Sequence, residues 1–222
     1  MRELMKIDIK KFNLKKQPVY FLIALLPISL MLFGILYLDN GALIESAPIA
    51  IDVIVKPVYI IWEAILISAV IIDEFKNKTI LMLYTYPINK KKLIISKVLL
   101  VAGYSFMGLI GSQIILNLLF FGIHQFFPAI PYTLTINQVV GYFASSIMVI
   151  LLGLIPLCAG LVKYSSVATL VTSIIIILMG SSSGLGFDQL LSEIGFVAGL
   201  GLVGIAGTTY SILKLFKKDI IV

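Results

Sequence analysis

The sequence predicts an all-α polytopic membrane protein with six transmembrane helices. Six apolar stretches run through the chain, most near the ~20 residues needed to cross ~30 Å of hydrocarbon. The 222 residues are 60% hydrophobic and 13% charged, with a mean hydropathy of +1.10. A soluble domain is about half apolar and a quarter charged, so the chain falls outside that class. The third observation is that its lysines fall almost wholly in alternate loops. Long uninterrupted apolar runs favour helices over barrel strands, which show alternation over ~10 residues.

The elements follow in order. Met1, Met5, Ile9 and Phe12 recur at helical spacing among basic residues, while Ile7 and Leu14 lie off that stripe. Residues 1–17 are expected to form an N-terminal interfacial helix at the headgroup layer; a partly ordered basic tail is the alternative. The first span, about 18–38, runs straight into Leu38-Asp39-Asn40. It is too long for a cleaved signal core, so it is read as retained. The remaining spans are placed at about 53–72, 93–121, 137–158, 164–179 and 194–216. The third is long enough to tilt or project, and the fifth is short. Pro27 and Pro156 lie inside spans one and four, where proline kinks a helix or frees a carbonyl. Gly195 and Gly199 form a G-x-x-x-G pair that allows close helix approach. Tyr20, Tyr37, Tyr59 and Tyr142 stand near span ends, as belt aromatics do. No loop is long enough for a soluble domain, so 1–222 reads as a single transmembrane domain.

The charges orient the chain. Sixteen of the 17 basic residues fall before span one, between spans two and three, between four and five, or after six, counting Lys97 and Lys214 just inside the adjoining ends of spans three and six; Lys56 alone falls on the other side. Asp39, Glu45, Asp52, Asp188 and Glu193 share that other side. The positive-inside rule then puts both termini and the 73–92 loop in the cytoplasm of a multi-pass plasma-membrane protein. The net charge of +6 suits anionic lipid headgroups. Nucleic acid is not expected as a partner, because the lysines punctuate spans instead of lining a soluble face.

Catalytic chemistry finds no purchase. His124 and Cys158 are the only residues of their types, so no metal cluster and no internal disulfide is expected. There is no Gly-Lys dipeptide, hence no phosphate-binding loop, and no zinc-protease or nucleophile-elbow motif. Three polar residues stand inside spans. Glu63 sits mid-span, where an ionised group costs ~3 kcal/mol or more; it either faces a cavity and meets a cationic group, or bonds a neighbouring helix. Gln113 and Asn117, four apart on one face, either line a polar track or join helices. His124 reads as an interfacial histidine.

The segment Asp73–Lys92 is the most informative local stretch. Phe75, Thr79, Met82, Leu83 and Tyr86 align on one helical face, Asp73 and Glu74 suit a helix beginning, and Pro87 ends it. A cytoplasmic amphipathic helix between spans two and three needs a partner or the membrane surface to cover its apolar face. Glu74, Lys76-Asn77-Lys78-Thr79, Leu81-Met82-Leu83, Pro87, Lys90–Lys92 and Lys97 stand in the order of an acidic residue, polar run, Leu-rich turn, proline, basic patch and early-span lysine. In that order and place the chain resembles the ABC-2 type permeases, and six spans with both termini inside extend the resemblance over nearly its whole length. Size and composition look most like the small Gram-positive permeases of peptide export and immunity, such as phenol-soluble modulin exporters and lantibiotic immunity transporters.

The resemblance implies a transporter subunit, not an enzyme. It implies a coupling helix that contacts a separate ABC ATP-binding subunit through Glu74, Phe75, Thr79, Met82, Leu83 and Tyr86. It also implies a second permease, as a homodimer or related partner. ATP and magnesium would sit on the partner subunit, with no cofactor in this chain, and the cargo would be amphipathic or antimicrobial peptides. Two other readings remain open from the residues: a six-span intramembrane enzyme, which needs paired polar groups at one depth, and a non-transporting sensor or structural protein.

Overall fold

The computed structural model describes residues 17–39, 46–77, 90–128, 130–182 and 206–207. Every regular element among the described residues is a helix. These are α1 (Gln17–Asp39), α2 (Ala47–Lys76), α3 (Lys90–Phe126), α4 (Ile136–Gly153), α5 (Ile155–Lys163) and α6 (Ser166–Ser182). Four stretches, Tyr20–Leu38, Ala47–Lys76, Leu93–Phe126 and Gln138–Lys163, are long and apolar enough to cross a membrane, and Ser166–Met179 is a shorter apolar helix. The expected interfacial helix over 1–17 lies almost wholly outside the described residues. So does the sixth span, of which only Ala206 and Gly207 are described.

α2 is the hub. It packs against every other described helix, whereas α1 touches only α2 and α3 among pairs with substantial contact. Two apolar cores lie along α2. One gathers Leu32, Leu36, Ile51, Ile60, Leu109, Phe120 and Val149; the other gathers Ile67, Ile71, Ile72, Val101, Leu157 and Leu161. The outward faces carry Leu26, Leu30, Leu118, Phe143 and Leu178, all exposed. Hydrocarbon is as apolar as leucine, so this exposure costs nothing in a bilayer.

Three boundaries differ from those read off the sequence. α2 begins at Ala47, six residues before the expected Val53, and so draws Asp52 and Lys56 into the helix. The fourth apolar stretch is broken at Leu154, and Pro156 sits in the first turn of the resumed helix α5. A proline there has no N–H to offer the preceding turn, which suits it to restarting a helix. Lastly, Asp73–Lys76 is the final turn of α2 and ends at Asn77, whereas the sequence placed a helix beginning there. That last turn follows a π-helical turn at Ser68–Ile72. Residues 78–89 lie outside the described residues.

Gly160 sets how closely α5 approaches α2 and α6. A Cβ there would stand 2.8 Å from Ile72 Cδ1 and would also collide with Thr169 Oγ1. Overpacking of this kind costs ~1–3 kcal/mol. Gly160→Ala is therefore expected to lower the unfolding free energy of the purified chain in detergent by about that amount, and its denaturant midpoint with it. Gly111→Ala, at a glycine with open space around it, is expected to leave the midpoint in place.

Candidate functional site

The polar groups inside the bundle are mostly carried by or aimed at α2, and they form three levels. Asp52, Glu63 and Glu74 are spaced eleven apart, about 16 Å per step along a helix. From Asp52 to Glu74 is thus ~33 Å, close to the thickness of a hydrocarbon core, with Glu63 halfway.

At the first level Lys56 donates to the Asp52 carboxylate one turn away, and both are buried. Gln113 Nε2 on α3 donates to Asp52 Oδ1 at 2.9 Å. Ser146 Oγ on α4 lies 3.4 Å from Gln113 Oε1, with its hydroxyl also 2.6 Å from the Tyr142 carbonyl of its own helix. The Tyr142 hydroxyl donates to the Pro48 carbonyl at 2.8 Å, a carbonyl in the first turn of α2. The Ala47 N–H donates to the Pro131 carbonyl at 2.9 Å. His124 Nδ1 lies 2.7 Å from the Ile130 carbonyl, which can only accept, so that ring nitrogen carries the proton. This end of the bundle is therefore tied together across α2, α3, α4 and the 127–135 connection.

A groove of about 580 Å³ opens beside this cluster between α3 and α4. Gln113, Asn117, Tyr132 and Tyr142 supply its polar groups, and Ile114 and Phe143 are among its apolar walls. Asn117 Nδ2 donates back to the Gln113 carbonyl at 2.8 Å, and its Oδ1 is buried without a hydrogen-bond partner. The groove spans residues 110–121 of α3, about 16 Å at 1.5 Å per residue. Its volume falls in the ~300–1,000 Å³ range of small-ligand sites.

The middle level is Glu63 alone. It is 1% exposed, and neither carboxyl oxygen has a hydrogen-bond partner. A Cβ on Gly153 would overlap its carboxyl group, so the glycine at the end of α4 makes room for it. The break between α4 and α5 follows at Leu154.

The third level lies at the end of α2. Lys97 Nζ of α3 donates to Glu74 Oε2 at 2.7 Å, with both side chains nearly fully buried. The Val70 carbonyl, inside the π turn, is 3.5 Å from the same ammonium. Ser166 Oγ, in the first residue of α6, donates to Asp73 Oδ1 at 2.7 Å. The Phe75 and Tyr164 ring centroids are 6.3 Å apart. Tyr164 joins α5 to α6 with φ 48°, and its neighbour Ser165 donates to the Gly160 carbonyl at 3.3 Å. Left-handed backbone costs a non-glycine residue ~1–2 kcal/mol; ring packing against Phe75 helps to offset it.

Asp73 and Glu74 thus sit at a helix C-terminus, where the macrodipole disfavours negative charge. Their compensation is tertiary. Glu74 takes an ammonium from α3, and Asp73 takes a hydroxyl at the N-terminal turn of α6, the positive end of that helix. Removing one partner from a buried ion pair costs ~3–5 kcal/mol.

Of the residues singled out in the sequence, Gln113 and Asn117 come together at the groove, and Gln113 also joins α3 to α2. Glu63 faces the bundle. Glu74 is spent on Lys97 within the chain, and half-buried Phe75 packs on Tyr164. Thr79, Met82, Leu83 and Tyr86 lie outside the described residues. Sequence reading missed the Asp52–Lys56 pair, which its i, i+4 spacing beside an apolar run could have shown. It also missed the pairing of Glu74 with Lys97, 23 residues away. No group of three or more metal-ligating side chains occurs among the described residues.

A bundle of membrane-length apolar helices with charged side chains paired in its interior is the architecture of a multi-pass membrane protein. Residues 4–184 match the family model described as ABC-2 family transporter protein. The chain is also 30% identical over 190 residues to the "Uncharacterized protein YcbO" of Bacillus subtilis (strain 168), covering 82% of each chain. It belongs to the ABC-2 transporter family. No solved structure matches it.

Gln113 carries the first prediction from this geometry. Replacing it by leucine keeps the size, but it leaves Asp52 Oδ1 without its 2.9 Å donor. Losing one hydrogen bond to a charged group costs ~1.5–3 kcal/mol. Gln113→Leu is expected to lower unfolding free energy by that amount, and Ser145→Ala, whose hydroxyl bonds only its own helix, by less than ~0.5 kcal/mol.

Proposed function

We propose that the chain is the permease subunit of an ATP-driven ABC exporter that moves amphipathic or antimicrobial peptides out of the cytoplasm or the inner leaflet. The observation that carries this reading is its ABC-2 family membership over residues 4–184. The 222 residues contain no phosphate-binding loop, so ATP and magnesium are assigned to a separate ABC ATP-binding subunit. Two permeases, identical or related, complete the pore, and lipids cover the apolar faces.

The orientation follows from the lysines. Lys76, Lys97 and Lys163 all belong to the end of the bundle where α2 meets α3 and α6. Lys56, the one exception to the loop asymmetry, is neutralised inside α2 by Asp52. The end with Glu74 therefore faces the cytoplasm, with both termini on that side. ATP binding on the partner pushes the 74–86 segment, and alternating access follows from movement of the spans.

The groove between α3 and α4 supports an amphipathic cargo. Its apolar walls accept a hydrophobic face, while Gln113, Asn117, Tyr132 and Tyr142 supply polar contacts. Glu63 offers a buried carboxyl at mid-depth, suited to a cationic group passing through the bundle.

Two outcomes test the proposal. Affinity-tagged chain extracted in mild detergent is expected to bring down an ATP-binding subunit, and Leu83→Glu to reduce that recovery about tenfold (roughly 1.4 kcal/mol in association) without loss of membrane insertion. Recovery of no ATPase across detergents removes the exporter reading. Phe75 is a poorer probe because it packs on Tyr164 within the chain. Separately, Glu63→Gln is expected to impair peptide export while the complex still assembles; unchanged export excludes Glu63 from the cargo path.

A further inference from the structure

The end of α2 holds four features that need each other. A π turn occupies Ser68–Ile72, and such turns, rare overall, are frequent at functional sites. The turn adds about one residue to the helix, so the last turn is rotated by roughly 100° relative to an unbroken α-helix. That rotation accompanies a Glu74 that meets Lys97 on α3. The same ammonium approaches the Val70 carbonyl within the π turn. Asp73, one residue before Glu74, is bound by Ser166 at the start of α6, and Phe75, one residue after, packs on Tyr164. Three successive side chains thus fasten one helical turn to two other helices.

We propose that Lys97 is a positioning residue that closes a releasable joint between the last turn of α2 and the rest of the bundle. With Lys97 on Glu74 and on the Val70 carbonyl, the π turn is held and the terminal turn is rigid. When Lys97 lets go, the π turn has the slack to relax to regular α-helix, turning Asp73–Lys76 against α3 and α6. The role in transport rests on the exporter reading: the turn leads directly into the segment assigned to the ATP-binding subunit. The joint itself does not depend on that reading.

The chemistry explains why this pair is suited to release. A buried ion pair is kept by geometry more than by net energy, because desolvation offsets most of the Coulomb attraction. The pair lies at the end of the bundle, within a turn of Lys76 and Asn77, which are exposed. Water reaching it from that end would hydrate both charges and lower the cost of parting them. By contrast, the Asp52–Lys56 pair at the opposite end is made within one helix.

The test uses the full chain in lipid nanodiscs and amide hydrogen exchange. In Lys97→Met, exchange of residues 68–77 is expected to rise at least about tenfold, while residues 47–67 and 100–126 stay as in the unaltered chain. Lys97→Arg, which keeps the charge, is expected to remain near the unaltered rate. Glu74→Lys combined with Lys97→Glu is expected to recover most of the protection that either change alone removes. Unchanged exchange in Lys97→Met overturns the joint, as does a rise spread evenly over all helices, or a charge exchange no better protected than the single variants. A second arm uses the complex with its co-purified ATPase. Lys97→Met is expected to keep ATP hydrolysis while export per ATP falls severalfold; export per ATP that stays level overturns the role in transmission. Failure to recover any ATPase removes the exporter reading and leaves the exchange result to judge the joint alone.

Discussion

The bundle depends on one constraint: a single helix carries Asp52, Lys56, Glu63 and Glu74 into an apolar interior, where Asp52, Lys56 and Glu74 are answered by pairing and Glu63 is enclosed with no hydrogen-bond partner for its carboxyl oxygens. An unpaired charge in a membrane core is expensive and gathers toward the protein interior. α2 meets this by being the most enclosed element, in contact with every other described helix. Helix packing around α2 and compensation of its charges are therefore the same problem. Gln113 of α3 meets Asp52. Lys97 of α3 and Ser166 of α6 meet Glu74 and Asp73. Gly153 is small because Glu63 needs its space.

The two ends of α2 are built differently, and the difference has mechanical consequences. The Asp52 end is a web, with bonds from α3, α4 and the 127–135 connection reaching the first two turns of the helix. The Glu74 end is held by contacts from α3, from Tyr164 and from the start of α6, placed at and beyond a π turn. Rotation of the terminal turn is thus local, because the π turn can absorb it, while displacement of the whole helix must disturb the web. A push at the lysine-rich end reaches the groove only if α2 moves as a rigid rod of ~33 Å between the two.

The spans were readable where hydropathy and length agree. α1 falls within a residue of the expected bounds, and α3 contains the expected stretch and extends it at both ends. The start of α2 was not readable, because Asp52 and Lys56 look like loop residues until their four-residue spacing lets them neutralise each other inside the helix. Asp73 and Glu74 misled for a related reason. Acidic residues followed by an amphipathic pattern suit a helix beginning, and the dipole rule alone supports that reading. A lysine 23 residues on reverses it, and nothing local signals so distant a partner. Gln113 and Asn117 were legible as a shared face from spacing alone; that the face borders a groove came from how α3 and α4 diverge.

Lys56 shows how the structure sharpens a statistical rule. Counted by loops, it is the one basic residue on the wrong side. The positive-inside preference concerns charges that face headgroups and potential during insertion. A lysine paired within one turn and 2% exposed does not present its charge to the membrane surface. Once it is removed from the count, the exposed lysines of the described residues belong to the Glu74 end. The proposed joint lies at the same end, so the charges that would set the orientation under the positive-inside rule also surround the turn on which coupling would act.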